Sequence, residues 1–191
     1  MLLFVDMETT GLNANTEVPL EVGLCLTDDE GNLVSEKKWR LLEDKRHFHN
    51  CIAAAKQHEI VGPMHEKSGL WDDIAHFGGL SRWEVDVKMV EWMTDQGIPE
   101  GEIPMTGNSI GSLDRPFALV HFPKFNEYLS YRNVDLSSVK ELCKRLNPEL
   151  YEQLRPIVEN KESATHRVLD DNHACIQEYK AYIDNFLIVG D

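Results

Sequence analysis

The stretch Leu3-Phe4-Val5-Asp6-Met7-Glu8-Thr9-Thr10-Gly11, near the N-terminus, decides how the rest of the chain is interpreted. It begins as an apolar run typical of a β-strand, and Asp6 and Glu8 interrupt this run two residues apart. Side chains at i and i+2 point to the same face of a strand, so both carboxylates should face one way. Buried neighbouring carboxylates must be protonated, paired with cations or bound to metal, whereas solvated acids at a strand end are the simpler alternative.

The segments that follow predict two more strands. Residues 20–26 are mostly apolar and precede a turn over 28–32, and the β pattern resumes over 33–42. We expect an antiparallel meander packed by later helices. Residues 43–79 show mixed helical and loop character, and His47 and His49 are interpreted there as ordinary surface histidines rather than metal ligands.

Strands and helices alternate in the second half. Ser81 and Glu84 have the spacing of a capping box at the start of a core-facing helix. Residues 103–109 predict a short strand that leads to a helix starting near Asp114, whose carboxylate could simply be a helix cap. Residues 134–146 repeat the strand-to-helix pattern, so the second half should be α/β.

The last predicted helix carries an acid on its apolar face. Its stripe consists of Val168, Cys175, Tyr179, Tyr182 and Phe186. Asp171 falls on this stripe, and a core-facing carboxylate needs a cation or a hydrogen-bond network. His166 lies at or before the first turn, after a cap at Ser163 or Thr165, where it is either a surface histidine or part of the same pocket.

Length and composition indicate one soluble domain over residues 1–191, with a single sizeable core. The four cysteines form no CxxC pair, which argues against a zinc site or a disulfide framework and fits a reducing cytosol. The N-terminal apolar run reaches only Val5 before Asp6, and no later run is long enough to cross a bilayer. We therefore expect a cytoplasmic protein that is neither exported nor bound to a membrane.

The net charge of −14, from 33 acidic against 19 basic residues, should repel long polyanions. A nucleic-acid substrate would have to be short and bound by local contacts, with metal ions offsetting the acids. Asp6 with Glu8, Asp114 and Asp171 come from three segments. If they converge, they suit two Mg²⁺ or Mn²⁺ ions about 3.5 to 4 Å apart for displacement at phosphorus. Because histidine titrates near neutral pH, His166 is a candidate general base.

Three motifs resemble those of the DEDDh exonuclease family, namely Asp6-Met7-Glu8-Thr9-Thr10-Gly11, Gly107-Asn108-Ser109-Ile110-Gly111-Ser112-Leu113-Asp114, and His166 followed five residues later by Asp171. Residues 131–142 are similar to the substrate-end segment of the oligoribonuclease branch. The resemblance covers most of the chain and weakens over residues 43–59. It implies an RNase H-like fold with a mixed five-stranded sheet flanked by helices.

The resemblance also implies an activity. Such proteins are homodimeric 3′-to-5′ exoribonucleases that hydrolyse very short RNAs, down to dinucleotides, to nucleoside 5′-monophosphates. By motif position, the metal ligands would be Asp6, Glu8, Asp114 and Asp171, with Asp6 bridging both ions, and His166 would be the general base. The substrate contacts would be Leu12 as a wedge between bases, Ser109, Arg132 and Ser137 as a cap on the 5′ phosphate, Tyr131 across the dimer interface, and His65.

Two departures from the family pattern bear on specificity. The family usually has a base-stacking tryptophan where this chain has Ile60, and base stacking is worth about 1 to 3 kcal/mol. One extra residue also lies between Ser109 and Asp114. Trp71 is either a substitute platform or part of the core. We therefore hypothesise that catalysis is intact and the preference for dinucleotides is relaxed.

Two other functions remain open. The chain could trim the 3′ ends of DNA or longer RNA, although its charge argues against this. It could also be a non-catalytic nucleotide-binding module, which the presence of all five catalytic residue types makes the weaker interpretation.

Overall fold

The first three strands form the antiparallel meander that the sequence predicts. The computed structural model describes residues 1–159 and 165–185, and in it β1 spans Leu2–Thr9, β2 spans Pro19–Thr27 and β3 spans Leu33–Arg40. Asp6 on β1 faces Gly23 on β2, and Glu8 faces Glu21. Because paired residues share one face of a sheet, these side chains all lie on the same side.

Two short strands complete the sheet. β4 (Met105–Gly107) runs parallel to β1, and β5 (Asn133–Asp135) runs parallel to β4. The strand order is β3-β2-β1-β4-β5, which is the mixed five-stranded sheet that the sequence predicts. Parallel strands end at the same edge of a sheet, so the end of β1 with Glu8 lies beside the turn that follows Gly107.

Helices flank this sheet. In chain order they are α1 (Arg46–Gln57), α2 (Val61–Lys67), α3 (Leu70–Phe77), α4 (Arg82–Asp95), α5 (Asp114–His121), α6 (Pro123–Tyr128), α7 (Leu136–Leu146), α8 (Pro148–Val158) and α9 (Val168–Asn185). The capping box predicted at Ser81 is present at the start of α4. α1 to α3 fall in the segment for which the sequence indicated only mixed character.

Both faces of the sheet are covered. Leu3, Val5 and Met7 belong to the largest apolar cluster, on one face, while Phe4 and Cys25 pack with residues of α7 and α9 on the other. At Gly23 helix α9 comes so close that an added Cβ would lie 2.7 Å from Cγ2 of Val168. Glycine at this position therefore lets α9 lie against the face that carries Asp6 and Glu8.

The apolar stripe predicted for the last helix is largely confirmed. Val168, Cys175 and Tyr182 are buried, but so are Asn172 and Glu178, which the sequence did not place in the core. Two further positions of that prediction, Phe186 and Ser163, lie outside the described residues.

The cysteines form no disulfide among the described residues. All four cysteines are free thiols and are buried. Over residues 1–159 and 165–185, no helix combines the length and apolar character needed to cross a membrane. The interpretation of Trp71 as a stacking platform was wrong, since its side chain is buried in the core and its Nε1 donates to the Gly62 carbonyl.

Candidate active site

Four of the five predicted catalytic residues line one cavity. This cavity, of about 350 Å³, lies at the end of β1 and is lined by Asp6, Glu8, His166 and Asp171 together with apolar side chains. Donor atoms of Glu8, His166 and Asp171 all lie within 4.8 Å of one another. The fold therefore brings together residues that are far apart in the chain. They come from β1, from the segment before α9 and from α9 itself.

Asp114, the fifth residue, lies directly beneath this group. It is the first residue of α5 and is buried, and, after burial, its charge does most to raise the pKa of Asp6. The alternative role as a helix cap is wrong, because Leu113 occupies the cap position and no side chain caps this helix. Oδ1 of Asp114 is buried and has no hydrogen-bond partner among the described residues.

Arg167, which the sequence interpretation missed, fixes the segment that carries His166. Its guanidinium donates to both oxygens of Glu21 at 3.1 and 2.9 Å and to Asp73 at 2.7 Å. His166 itself has a φ of 54°, in the left-handed region, which costs a non-glycine residue about 1 kcal/mol or more. The ionic contacts of Arg167 and the backbone of α9 together offset this strain and direct His166 into the cavity.

The carboxyl groups of the site are strongly perturbed. Burial, and after it the charges of Asp114 and Glu8, raises the pKa of Asp6 well above its ordinary value. Burial is also the largest cause for Glu8 and Asp114, whose pKa values rise to about 8, and for Asp171, whose pKa rises to about 6. Around neutral pH, and without a metal, the carboxyl groups of Asp6, Glu8 and Asp114 therefore favour the protonated form.

This cluster has the properties of a site for hard divalent cations. Oδ2 of Asp6 and Oδ1 of Asp114 are buried without a hydrogen-bond partner among the described residues. Buried polar atoms rarely lack partners, and carboxylate oxygens are the preferred ligands of hard divalent cations. The donor set thus fits the metal that the sequence predicts.

His65 lies behind Glu8 and not on the open cavity. It is buried, with Nε2 3.0 Å from the carbonyl oxygen of Thr9 and Nδ1 3.7 Å from Oε2 of Glu8. Burial lowers the pKa of the imidazole, so the ring is neutral at neutral pH. Its contacts orient the end of β1, where Glu8 is placed.

Two of the three predicted phosphate-binding residues meet in the structure. Oγ of Ser109 lies 3.3 Å from Oγ of Ser137, which also accepts from the Ser109 amide at 3.0 Å. Asp135 accepts from the amides of Ser109, Gly111 and Ser137 and so joins this turn to the start of α7. The turn between Ser109 and Asp114, where the sequence predicts one extra residue, therefore has its serine next to Ser137.

Arg132 and Tyr131 stand apart from the serine pair. Tyr131 is 80% exposed, and the Arg132 guanidinium lies 4.9 Å from the centre of its ring. Within residues 1–159 and 165–185 neither side chain has a hydrogen bond to Ser109 or Ser137. The structure thus brings together Ser109 and Ser137 but not the complete predicted cap.

A second network missed by the sequence interpretation supports the serine pair. Asn108 accepts from Oγ of Ser137 at 3.2 Å and donates to the buried Glu178 carboxylate at 2.9 Å. Lys140 lies 3.1 Å from the other oxygen of Glu178. The only signal in the sequence was an acid at Glu178 on the apolar side of the last helix.

The open side of the cavity is apolar. Leu12 and Ile60 line it and are 82% and 70% exposed, and Val61, Met64 and Leu113 line it as well. Leu113 lies in the turn that contains the extra residue. Aliphatic side chains therefore form most of this side of the cavity, and the exposed His58 imidazole lines it as well.

The chain is similar to named nucleases in sequence. No protein-family model matches it. Oligoribonuclease from Neisseria meningitidis serogroup B is 32% identical over 187 residues, which cover 98% of this chain and 92% of the relative. Oligoribonuclease from Nitrosomonas europaea is 35% identical over 181 residues, covering 95% of this chain and 92% of the relative.

The chain belongs to the oligoribonuclease family. Identity of this size over nearly the whole length of both chains confirms the family that the three motifs predict.

Solved structures confirm the fold. Two complexes of E. coli exonuclease I with DNA, a metal-free one with single-stranded DNA and one with a dA16 oligonucleotide, superpose with TM-scores of 0.66 and 0.70 at 17% and 18% identity. The match covers 97% of this chain in both cases, but only 40% and 41% of the exonuclease I chains. The oligoribonuclease-family chain thus spans about two fifths of these larger nucleases and shares their RNase H-like exonuclease fold.

Proposed function

We propose that the protein is a 3′-to-5′ exoribonuclease that hydrolyses short oligoribonucleotides to nucleoside 5′-monophosphates. The observation that carries this proposal is the group of buried carboxylates with unpartnered oxygens, Asp6 and Asp114, beside Glu8, Asp171 and His166 in one cavity. Membership in the oligoribonuclease family supports the same activity.

Asp6, Glu8, Asp114 and Asp171 would hold two divalent cations, Mg²⁺ or Mn²⁺, with Asp6 shared between them. When bound, such ions lower the pKa of water and neutralise charge that develops on the phosphate. Asp6 and Asp114 would bind as carboxylates through their buried oxygens, and Asp6, Glu8 and Asp171 line the cavity. A cation makes this cluster of carboxylates tolerable at neutral pH, where its raised pKa values otherwise favour protonation.

His166 would accept the proton of the attacking water. Its ring lines the cavity beside Glu8 and Asp171, and donor atoms of these three residues lie within 4.8 Å of one another. Arg167 donates hydrogen bonds to Glu21 and Asp73 and so fixes the backbone next to His166. Proton transfer by a side chain held in this way contributes about 100- to 10,000-fold to a reaction rate.

The substrate would lie between the apolar wall and the serine pair. Leu12 and Ile60 would contact bases, and Ser109 with Ser137 would donate hydrogen bonds to the 5′ phosphate. Because Ile60 cannot stack as an aromatic ring does and Trp71 is buried, dinucleotides should lose part of the stacking energy, about 1 to 3 kcal/mol per base. We therefore expect a relaxed preference for the shortest substrates.

The same proposal includes assembly and location. A homodimer would place the exposed Tyr131 of one subunit near the cavity of the other and so complete the phosphate cap, which Arg132 alone does not close. Residues 1–191 would form a single exonuclease domain, because β1, α2 and α9 all contribute residues to one cavity. The chain would act in the cytoplasm.

The decisive experiment is hydrolysis of 5′-labelled RNAs of two to ten nucleotides and of matched DNAs, with Mg²⁺ or Mn²⁺ and with EDTA. We expect metal-dependent decay of the RNAs to mononucleotides, with dinucleotides and longer RNAs cleaved at comparable rates. A strong bias towards dinucleotides would contradict the role given to Ile60. Faster decay of DNA or of the longest RNAs would instead support the trimming of 3′ ends.

The variant His166→Gln tests the proposed role of His166 as the general base. It preserves the size and polarity of the side chain but removes the proton acceptor, so kcat should fall by at least about 100-fold while KM changes little. His49→Gln, at an exposed histidine on α1, is the control and should retain full activity. Unchanged kcat in His166→Gln would contradict the assigned base.

A further inference from the structure

A second group of metal-ligating side chains lies outside the cavity. Cys25 on β2, Glu36 on β3 and His173 on α9 have donor atoms within 4.8 Å of one another. Cys25 and Glu36 are directly paired across the two strands. No sequence motif predicts this cluster, because its members come from three distant segments and not from a CxxC pair.

Contacts within the group already bring the donors into one place. Sγ of Cys25 donates to Oε2 of Glu36 at 3.7 Å, and Nε2 of His173 lies 2.6 Å from the same oxygen. Ligand atoms around a tetrahedral zinc ion are separated by about 3.3 to 3.7 Å, as follows from bond lengths of about 2.0 to 2.3 Å. Small side-chain rotations that widen the contact between His173 and Glu36 would place all three donors around one cation.

Access and chemistry point to a transition-metal ion and not to Mg²⁺. The thiol is buried, while the side chains of Glu36 and His173 are 36% and 46% exposed, so a cation could enter from solvent and keep a water ligand. Thiolate, imidazole and carboxylate together favour Zn²⁺, whereas Mg²⁺ prefers oxygen ligands alone. The thiolate and the carboxylate would balance the charge of the ion.

The group is separate from the catalytic acids although both involve α9. His173 follows Asp171 by two residues, about 200° around a helix with 3.6 residues per turn, and so points away from the cavity. Burial and the adjacent Glu36 carboxylate raise the pKa of the Cys25 thiol to about 12. The thiol therefore keeps its proton at neutral pH until a cation displaces it.

We propose that Cys25, Glu36 and His173 form a zinc site that joins β2, β3 and α9. Binding converts the Cys25 thiol to a thiolate and releases one proton to the buffer, while Glu36 binds as a carboxylate and His173 through the lone pair of Nε2. Oxidation states do not change. The fourth position is taken by water, as in sites with three protein ligands.

Cobalt spectroscopy separates this site from the catalytic one. The chain is stripped of metal with EDTA, dialysed, saturated with Mg²⁺ and titrated with Co²⁺. We expect one equivalent to produce a sulfur-to-cobalt charge-transfer band and the intense visible bands of tetrahedral Co²⁺, and Zn²⁺ to abolish both. The proposed catalytic ligands offer only oxygen and nitrogen donors. Cys175 lines a cavity with Asp6 and Asp171, so Cys175→Ser is measured as well and should keep the band.

Variants test each ligand. Cys25→Ser should abolish the band, and His173→Ala and Glu36→Gln, at exposed positions, should remove it at the cobalt concentration that saturates the wild type. Cys51→Ser is the matched control, because Cys51 lies 3.6 Å from His47 in a pair with no third donor among the described residues. This variant should keep the band.

A second readout does not depend on cobalt. Zn²⁺ added in the presence of saturating Mg²⁺ should raise the melting temperature of the wild type by more than that of His173→Ala, because a ligand that binds only the folded state stabilises it and the variant keeps only Glu8, His166 and Asp171 as a zinc-binding group among the described residues. The proposal is overturned if the wild type shows no charge-transfer band. It is also overturned if His173→Ala and Glu36→Gln keep the band, or if Cys51→Ser loses it.

Discussion

At the scale of single residues, the acids proposed to bind metal lower the stability of the metal-free fold. Asp114 illustrates this, because its carboxylate is buried, has one unpartnered oxygen and has a pKa raised to about 8. A cation would offset this cost, whereas the metal-free fold has to accommodate it. Residues of this kind are expected where function, rather than folding, selects the side chain.

Asp114→Asn should therefore separate activity from stability. Activity should fall by at least about 100-fold, because a metal contributes several kcal/mol and each 1.36 kcal/mol is a factor of ten. The metal-free variant should melt at a higher temperature than metal-free wild type at pH 8, because the amide removes a buried charge. Hydrolysis assays and melting curves with EDTA measure the two effects, and wild-type activity in the variant would contradict the site.

The raised pKa values of Glu8 and Asp114 also predict a pH dependence. Their ordinary values are 4.5 and 3.8 and their folded values are about 8, so between about pH 4 and pH 8 the folded state binds more protons than the unfolded state. The free energy of unfolding of the metal-free protein should thus be highest near the acidic end of this window and fall as pH rises. Denaturant titrations at pH 5 and 8 should show this fall with EDTA and a smaller one with Mg²⁺. A stability that rises over this window with EDTA would contradict the burial of the acids.

At the scale of elements, the approach of α9 to β2 sets the position of Asp171. A Cβ on Gly23 would lie 2.7 Å from Cγ2 of Val168 and 3.1 Å from its carbonyl carbon. Neither atom can move without shifting the first turn of α9. Close packing thus links Gly23 in a strand to Asp171, the proposed metal ligand three residues beyond Val168.

Gly23→Ala should accordingly lower both the melting temperature and kcat. Gly111→Ala is the matched control, since the same added methyl group would lie 3.8 Å from its nearest neighbour and so fits. Melting curves and kcat values for the two variants make the comparison. Wild-type kcat in Gly23→Ala would show that α9 has more freedom than its packing suggests.

The turn before α5 should affect substrate binding more than chemistry. Leu113 lines the cavity beside Leu12, and burial of a leucine side chain is worth about 1.5 to 3 kcal/mol. Leu113→Ala should raise KM for dinucleotides by about tenfold with little change in kcat. Leu142→Ala, at an exposed position on α7, should leave both constants unchanged. A fall in kcat for Leu113→Ala with unchanged KM would assign the turn to positioning Asp114 instead.

How far the sequence predicts these features depends on the range of the interactions. Alternation and capping predicted β1 to β3 and α4, because those signals are local. For residues 43–79 the sequence indicated only mixed helical and loop character, and the bounds of the helices were not predicted because α2 and α3 have only seven and eight residues. Arg167 and Glu178 were missed because their partners, Glu21 and Asn108, are distant in sequence. The predicted acids and His166 lie around one cavity, and Ser109 contacts Ser137. Arg132 and Tyr131 do not join the two serines within one chain.

At the scale of the whole molecule, the net charge of −14 should favour short substrates. Repulsion acts over the Debye length, about 10 Å at 0.1 M salt, so it should weaken binding of a decanucleotide more than that of a dinucleotide. Raising salt should therefore lower the ratio of kcat/KM for dinucleotides to that for decanucleotides. Assays from 0.05 to 0.3 M salt at fixed Mg²⁺ measure this ratio. A steep loss of decanucleotide cleavage with salt would indicate a basic binding track instead.

The position of β1 between two partner strands has a consequence for how members of this family can diverge. A residue inserted into β1 would turn Asp6 or Glu8 to the opposite face, because side chains alternate along a strand, and so would destroy the site in one step. A residue inserted between Ser109 and Asp114 falls instead in a turn, where Leu113 lines the cavity and Asp114 begins α5. Changes in length are thus confined to the loops around the acids, where one codon gained or lost can alter the choice of substrate and leave the chemistry unchanged.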